Sequence, residues 1–174
     1  AGDALTGNGF SGSTRTAGSD FNVAVGMQAL TADTLGSKST AMGFFALGSQ
    51  NFTTATDTFN TAVGYSAGST VSTGVQNTLI GALAGDALAT NGGDNVALGF
   101  EALSGEQQTS RNTAIGRGAL KAQNKNTNSN TYNTAVGALA GTNLSTGTIN
   151  TFVGGQSAGG GVVTGTHNVG VGAE

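Results

Sequence analysis

Cysteine, proline and tryptophan are all absent from this chain, and only 9% of its 174 residues are charged. Without cysteine there are no disulfide staples, and no thiols from which to read a redox compartment. Six Lys and Arg against nine Asp and Glu leave a net charge of −3 and no basic run. A nucleic-acid groove, which needs clustered cations to displace counterions, is therefore excluded. No apolar stretch approaches membrane-spanning length, and no basic-then-apolar leader opens the sequence. The start at Ala1 rather than Met reads as a processed chain or an excised fragment. Abundant Ser, Thr, Asn and Gly with so little charge suit an extracellular or cell- or virion-surface location.

Glycine, by contrast, supplies 31 residues. Scattered, that much glycine implies disorder. Here it recurs at a fixed place in a five-residue phrase of the type Asn-Thr-Ala-Val-Gly that returns nine times, starting at Asn22, Ser39, Asn60, Asn77, Asn95, Asn112, Asn133, Asn150 and Asn168. The intervals are 17, 21, 17, 18 and then 17, 21, 17, 18 residues. A short phrase at a nearly fixed period marks one structural rung stacked on its neighbours. The expected fold is all-β, a parallel β-solenoid (β-roll or β-helix) of about nine rungs of 17–21 residues, forming a rod roughly 40 Å long at a strand spacing of ~4.8 Å.

With the Asn numbered zero, position three is aliphatic throughout (Val25, Met42, Val63, Ile80, Leu98, Ile115, Val136, Val153, Val171). Strand alternation then points to this column as the interior, together with the Val/Thr column at position one. Position four is always Gly, the expected corner, and position seven is Ala in seven copies and Ser157 in the eighth. Position eight changes in pairs: Leu30 and Leu47, Gly68 and Gly85, Leu103 and Leu120, then Gly141. The Asn column reads either as an internal amide ladder or as a turn preference. Position two, expected to face outward, is apolar (Ala24, Ala41, Ala62, Leu79, Ala97, Ala114, Ala135, Phe152) and is read as an interface.

Residues 22–94 align without a gap on 95–167 with 30 identities, so a four-rung block is duplicated. The single domain 1–174 therefore divides into residues 1–21 (an N-terminal half-rung and insertion), the two blocks, and a C-terminal half-rung, 168–174. Ala1-Gly2-Asp3-Ala4-Leu5 repeats Ala84 to Leu88, and Glu174 ends one position before the place in the rung where Ala1 begins. One chain's C-terminal half-rung (Asn168, Val169, Val171, Glu174) is thus expected to be completed by the next chain's Ala1 to Leu5. Such a head-to-tail contact does not close and generates a filament.

The phrase Asn-Thr-Ala-Val-Gly-x-x-Ala, as in Asn60 to Ala67 and Asn133 to Ala140, resembles the head repeats of trimeric autotransporter adhesins and the repeat regions of bacteriophage tail fibres. The resemblance implies a surface-exposed fibrous β protein and carries over no receptor-binding residue.

Chemistry is sparse. His167 is the only histidine, in the variable position before the phrase, and reads as a loop residue. Asp33, Asp57, Asp86 and Asp94 form no recurring pair, and no catalytic residue, cofactor or metal is expected. Phe21, Phe59 and Tyr132 precede three strands and read as covers for the ends of the core, with sugar stacking as the alternative. Asn51-Phe52-Thr53 and Asn143-Leu144-Ser145 are formal glycosylation sequons. The expected function is a structural, adhesive subunit of an extracellular filament whose partner is itself, with a surface glycan as a further partner. The alternative is a shaft or receptor-binding fragment of a trimeric fibre, with the position-two alanines at its axis. Ice binding is disfavoured because the threonine column, broken by Val23, Val96 and Val169, lies on the inferred core face.

Overall fold

A computed structural model describes residues 21–105, 107–125, 128–160 and 164–173. Nine three-residue strands stack in parallel and in register. Four two-residue strands are interspersed among them, all among the described residues. In chain order these are β1 (Val23–Val25), β2 (Gly36–Ser37), β3 (Thr40–Met42), β4 (Thr56–Asp57), β5 (Thr61–Val63), β6 (Thr78–Ile80), β7 (Val96–Leu98), β8 (Thr109–Ser110), β9 (Thr113–Ile115), β10 (Ser129–Asn130), β11 (Thr134–Val136), β12 (Thr151–Val153) and β13 (Val169–Val171). The main sheet runs β1-β3-β5-β6-β7-β9-β11-β12-β13, and β2–β4 and β8–β10 pair separately. The small pairs sit in the coils around the two 21-residue intervals, where extra chain makes a second strand. The protein is an all-β, parallel β-solenoid of about nine rungs, as its period predicts.

The sheet's two faces are the reverse of the expected assignment. From the second rung to the eighth, position two is buried, with Ala41, Ala62, Leu79, Ala97, Ala114 and Ala135 all fully covered and Phe152 nearly so. Position three faces outward, and Met42 and Leu98 are 43% and 44% exposed. The core is thin: the position-two column packs with the buried position-seven alanines and the position-eight leucines. Methyl-sized side chains fit there, and longer ones enter only beside a position-eight glycine, as Leu79 and Phe152 do, so the aliphatic column is left outside. The position-two alanines are accordingly the chain's own interior, and neither an interface nor a trimer axis.

Volume is conserved rung by rung. Where position eight loses its leucine, a larger position-two residue fills the gap. A Cβ on Gly68 or Gly85 would lie 2.7 and 2.8 Å from the Leu79 methyls, and one on Gly141 would lie 2.8 Å from the Phe152 ring. Position eleven follows the same rhythm. It holds Val71, Leu88 and Leu144 in the glycine rungs, and buried Asp33, Gln50 and Gln123 in leucine rungs.

Glycine at position four is a stereochemical requirement. All nine copies have φ between +124° and +138°, a region that L side chains rarely enter. A Cβ on Gly43 would sit 2.3 Å from the Gly64 carbonyl oxygen. After that corner, rungs join through backbone bonds outside any strand: Leu30, Leu47, Gly68, Gly85, Leu103, Leu120 and Gly141 each donate N–H to the position-seven carbonyl of the next rung.

Candidate assembly surfaces

The Asn column is an internal amide ladder. In the run from Asn60, each Oδ1 accepts both the backbone N–H and the Nδ2–H of the Asn one rung on, at 2.9 and 3.3 Å for Asn77 and 2.9 and 3.0 Å for Asn150. The exception is Asn112, whose Oδ1 takes the Asn133 N–H and the Thr131 hydroxyl. Each Nδ2 also donates to a loop carbonyl or a neighbouring side chain, such as Gly74 for Asn60 and Gly147 for Asn133, both at 2.8 Å. Buried amides are tolerated because both ends are satisfied. Ser39, the break in the column, is bridged by buried Gln50. Gln50 Nε2 donates to Ser39 Oγ at 3.0 Å and its Oε1 accepts from Asn60 at 2.9 Å. Gln123 reproduces the second contact with Asn133 at 3.1 Å.

The ladder reaches the last described rung. Asn168 donates N–H and Nδ2–H to Asn150 Oδ1 at 3.0 and 2.9 Å. Among the described residues its own Oδ1 has no next amide to accept from. Val169 and Val171 of β13 are 77% and 78% exposed. Asn168, Val169 and Val171 lie along β13, the last described strand of the main sheet, while Ala1, Gly2, Asp3, Ala4, Leu5 and Glu174 lie outside the described residues.

The outward face of the main sheet was not anticipated. Among the described residues all fourteen exposed large hydrophobics fall at phrase positions minus one, one, three or five, on that face and along its two edges. Six threonines (Thr40, Thr61, Thr78, Thr113, Thr134, Thr151) share it at position one. The argument that placed the threonine column in the core is therefore overturned, as is the reading of the aromatics as end covers. Phe21, Phe59 and Tyr132 are 78%, 52% and 48% exposed. Lys38 Nζ lies 5.2 Å from the Phe59 ring centroid, and Arg111 lies 5.6 Å from that of Tyr132. The same cations pair with Asp57 at 2.5 Å and Asp94 at 3.5 Å. On the opposite edge Phe44 stacks on Tyr65 with centroids 5.4 Å apart. The pairing of glycine at position eight with Leu79 or Phe152 at position two was the sequence signal for which face is inside.

The remaining candidates stay apart. His167 is exposed and holds the left-handed conformation of every residue before the phrase. Asp33 is buried, accepting from Gln50 Nε2 at 3.0 Å and the Gly36 N–H at 3.1 Å. Desolvation by burial pushes its carboxyl above the usual range, against those hydrogen bonds. Asp86 is raised by the same cause, with Glu101 adding to it. Among the described residues no three His, Cys, Asp or Glu gather as metal ligands. Asn51 and Asn143 are exposed, but Asn51 Oδ1 accepts from the Thr34 hydroxyl at 2.8 Å and the Asn143 Nδ2 donates to the Gly159 carbonyl.

These features define a repeat rod with one apolar flank and an amide ladder that continues to Asn168, in its last described rung. The chain matches no family model, and no curated protein sequence or solved structure is recognisably similar to it.

Proposed function

We propose that the chain is a structural subunit of an extracellular filament, lengthened by stacking one copy's rungs on the next. The observation that carries this reading is the surface at β13, the last described strand of the main sheet. Asn168 Oδ1 and the exposed Val169 and Val171 repeat, one rung on, the surface that Asn60, Asn77, Asn95, Asn133 and Asn150 and their strands each offer the next rung. A parallel strand placed there gains the amide contacts and covers the edge, which a soluble protein otherwise blunts. The sparse charge and the many hydroxyl and amide side chains suit an extracellular surface. A surface glycan is a compatible partner through the exposed rings.

Negative-stain electron microscopy of the isolated chain at micromolar concentration tests the reading. Uniform fibres one solenoid wide are expected from the intact chain, and short particles after removal of residues 1–5 or substitution Val169→Lys. Discrete short rods from the intact chain, or fibres that persist in both variants, would refute end-to-end stacking and favour a piece of a larger fibre.

A further inference from the structure

The apolar flank is a second surface, independent of the filament ends. About eight strand spacings of ~4.8 Å by about six residue spacings of ~3.3 Å give it roughly 800 Å², about the area one partner contributes to a standard stable interface. Its side columns say what fits there. Along position five the first half is bulky except at the fourth rung (Met27, Phe44, Tyr65, Ala82, Phe100), and the second half, after Arg117, is small (Ala138, Gly155, Ala173). Position one reads Val, three Thr, Val, three Thr, Val, the same in both directions. Position three reads the same both ways apart from Met42 against Val153.

We propose that this face binds a second copy of the chain, inverted end for end about a two-fold axis through β7. In that arrangement each column faces itself with the rung order reversed. Tyr65 then meets Ala138 of the second copy, Phe44 meets Gly155, and Arg117 meets Ala82. Val96, Leu98 and Phe100 meet their own counterparts on the axis. Bulk lies against small residues along position five, and the interface is isologous, so it closes at two copies. The two Asp94 carboxylates that approach on the axis are each held by an Arg111 at 3.5 Å. Pairing two rods in the same direction does the opposite. Position five then faces position minus one of the same rung, which sets Arg117 against Arg111, Met27 against Phe21 and Tyr65 against Phe59. A regular water lattice is a poorer occupant still, because the exposed rings at both edges do not repeat from rung to rung.

Because the native chain has no cysteine, cross-linking of single-cysteine variants of the full chain reads the arrangement directly. Sheets packed face to face lie ~10 Å apart, so a short bis-maleimide is the probe. Phe100→Cys should cross-link to itself, giving most of the protein as a dimer on a denaturing gel. Tyr65→Cys mixed with Ala138→Cys should give the mixed dimer, while Tyr65→Cys alone stays monomeric. Adding Leu98→Glu to Phe100→Cys should abolish the product without changing circular dichroism. No product from Phe100→Cys overturns the proposal. So does a trimer, or preferential linkage of Phe44→Cys to Lys38→Cys, which reports rods running the same way. The gel reads the face whether or not the ends polymerise, so failure here is distinct from failure of the filament reading.

Discussion

Replacing Asn133 by Ala removes one step of the amide ladder at a fully buried position. Four groups lose a partner: the Asn150 N–H and Nδ2–H, which donate to Asn133 Oδ1 at 2.9 and 3.0 Å, and the Gly147 carbonyl and Gln123 Oε1, which accept from Nδ2 at 2.8 and 3.1 Å; of these the Asn150 Nδ2 keeps a second bond, to the Gly165 carbonyl at 2.8 Å. Alanine restores none of them, and the gap is enclosed by neighbouring rungs. At about 1–3 kcal/mol for each of the three buried groups left unsatisfied, the loss is about 3–9 kcal/mol. With a urea dependence of about 2 kcal/mol/M, the unfolding midpoint falls by roughly 1.5–4.5 M. The comparison is Asn168→Ala in the half-exposed last rung, where only the donation from Nδ2 to Asn150 at 2.9 Å disappears. That substitution should cost about 1 kcal/mol or less. Urea titrations followed by circular dichroism measure both. A loss below about 1 kcal/mol at Asn133, or equal losses at the two sites, would refute the view that the ladder holds the rungs in register.

Three other outcomes follow from the same geometry. Gly99→Ala would place a methyl 2.7 Å from the Gly116 carbonyl at φ +135°; it should destabilise by at least about 3 kcal/mol in a urea titration, from backbone strain plus the clash. Gln76 is exposed at φ +60°, and Gln76→Gly should raise the thermal midpoint, relieving about 1–2 kcal/mol of left-handed strain against about 0.5–1 kcal/mol of glycine entropy. Asp33 binds its proton more tightly folded than unfolded, so its contribution to stability is fully present below the unfolded pKa of 3.8 and is lost as pH rises through the raised folded value. Urea midpoints measured from pH 3 to 7 should therefore decline across that window more steeply for the native chain than for Asp33→Asn, and parallel curves would remove Asp33 as the cause.

The rung count, the parallel stacking and the glycine corners were legible because each leaves a periodic trace: the phrase interval, the β-branched columns, an invariant Gly. The side of the sheet was not legible from alternation alone. In Thr61-Ala62-Val63 the larger apolar residue looks like the core residue, yet Ala62 is the buried one. Hydrophobicity ranks side chains by transfer energy, whereas this interior selects by the space between two close backbones. Comparing positions two and eight across rungs would have recovered that constraint, since Leu79 and Phe152 occur where Gly68, Gly85 and Gly141 make room. The amide ladder sat between two readings because an Asn before a strand looks the same whether its side chain points in or out. Its answer lay in long-range pairs such as Asn60 with Asn77, which no local window contains. The apolar flank followed from the same inversion, and was hidden for the same reason.

The rung-by-rung exchange of volume also limits how such a molecule can change length. Rungs come as two leucine-type followed by two with a small residue at position eight (Gly68 and Gly85, then Gly141 and Ala158), and each depends on the side chain its neighbour extends into it. Removing a single rung would bring Leu47 or Leu120 against the wrong partner and open a hole elsewhere. Removing or adding a whole set of four leaves every junction as it was. The heritable quantum of length is therefore the 73-residue block, which is the size of the duplication seen in residues 22–94 and 95–167. Unequal exchange between such blocks would lengthen or shorten the rod in steps of ~20 Å, four rungs at the strand spacing, without any junction having to be redesigned.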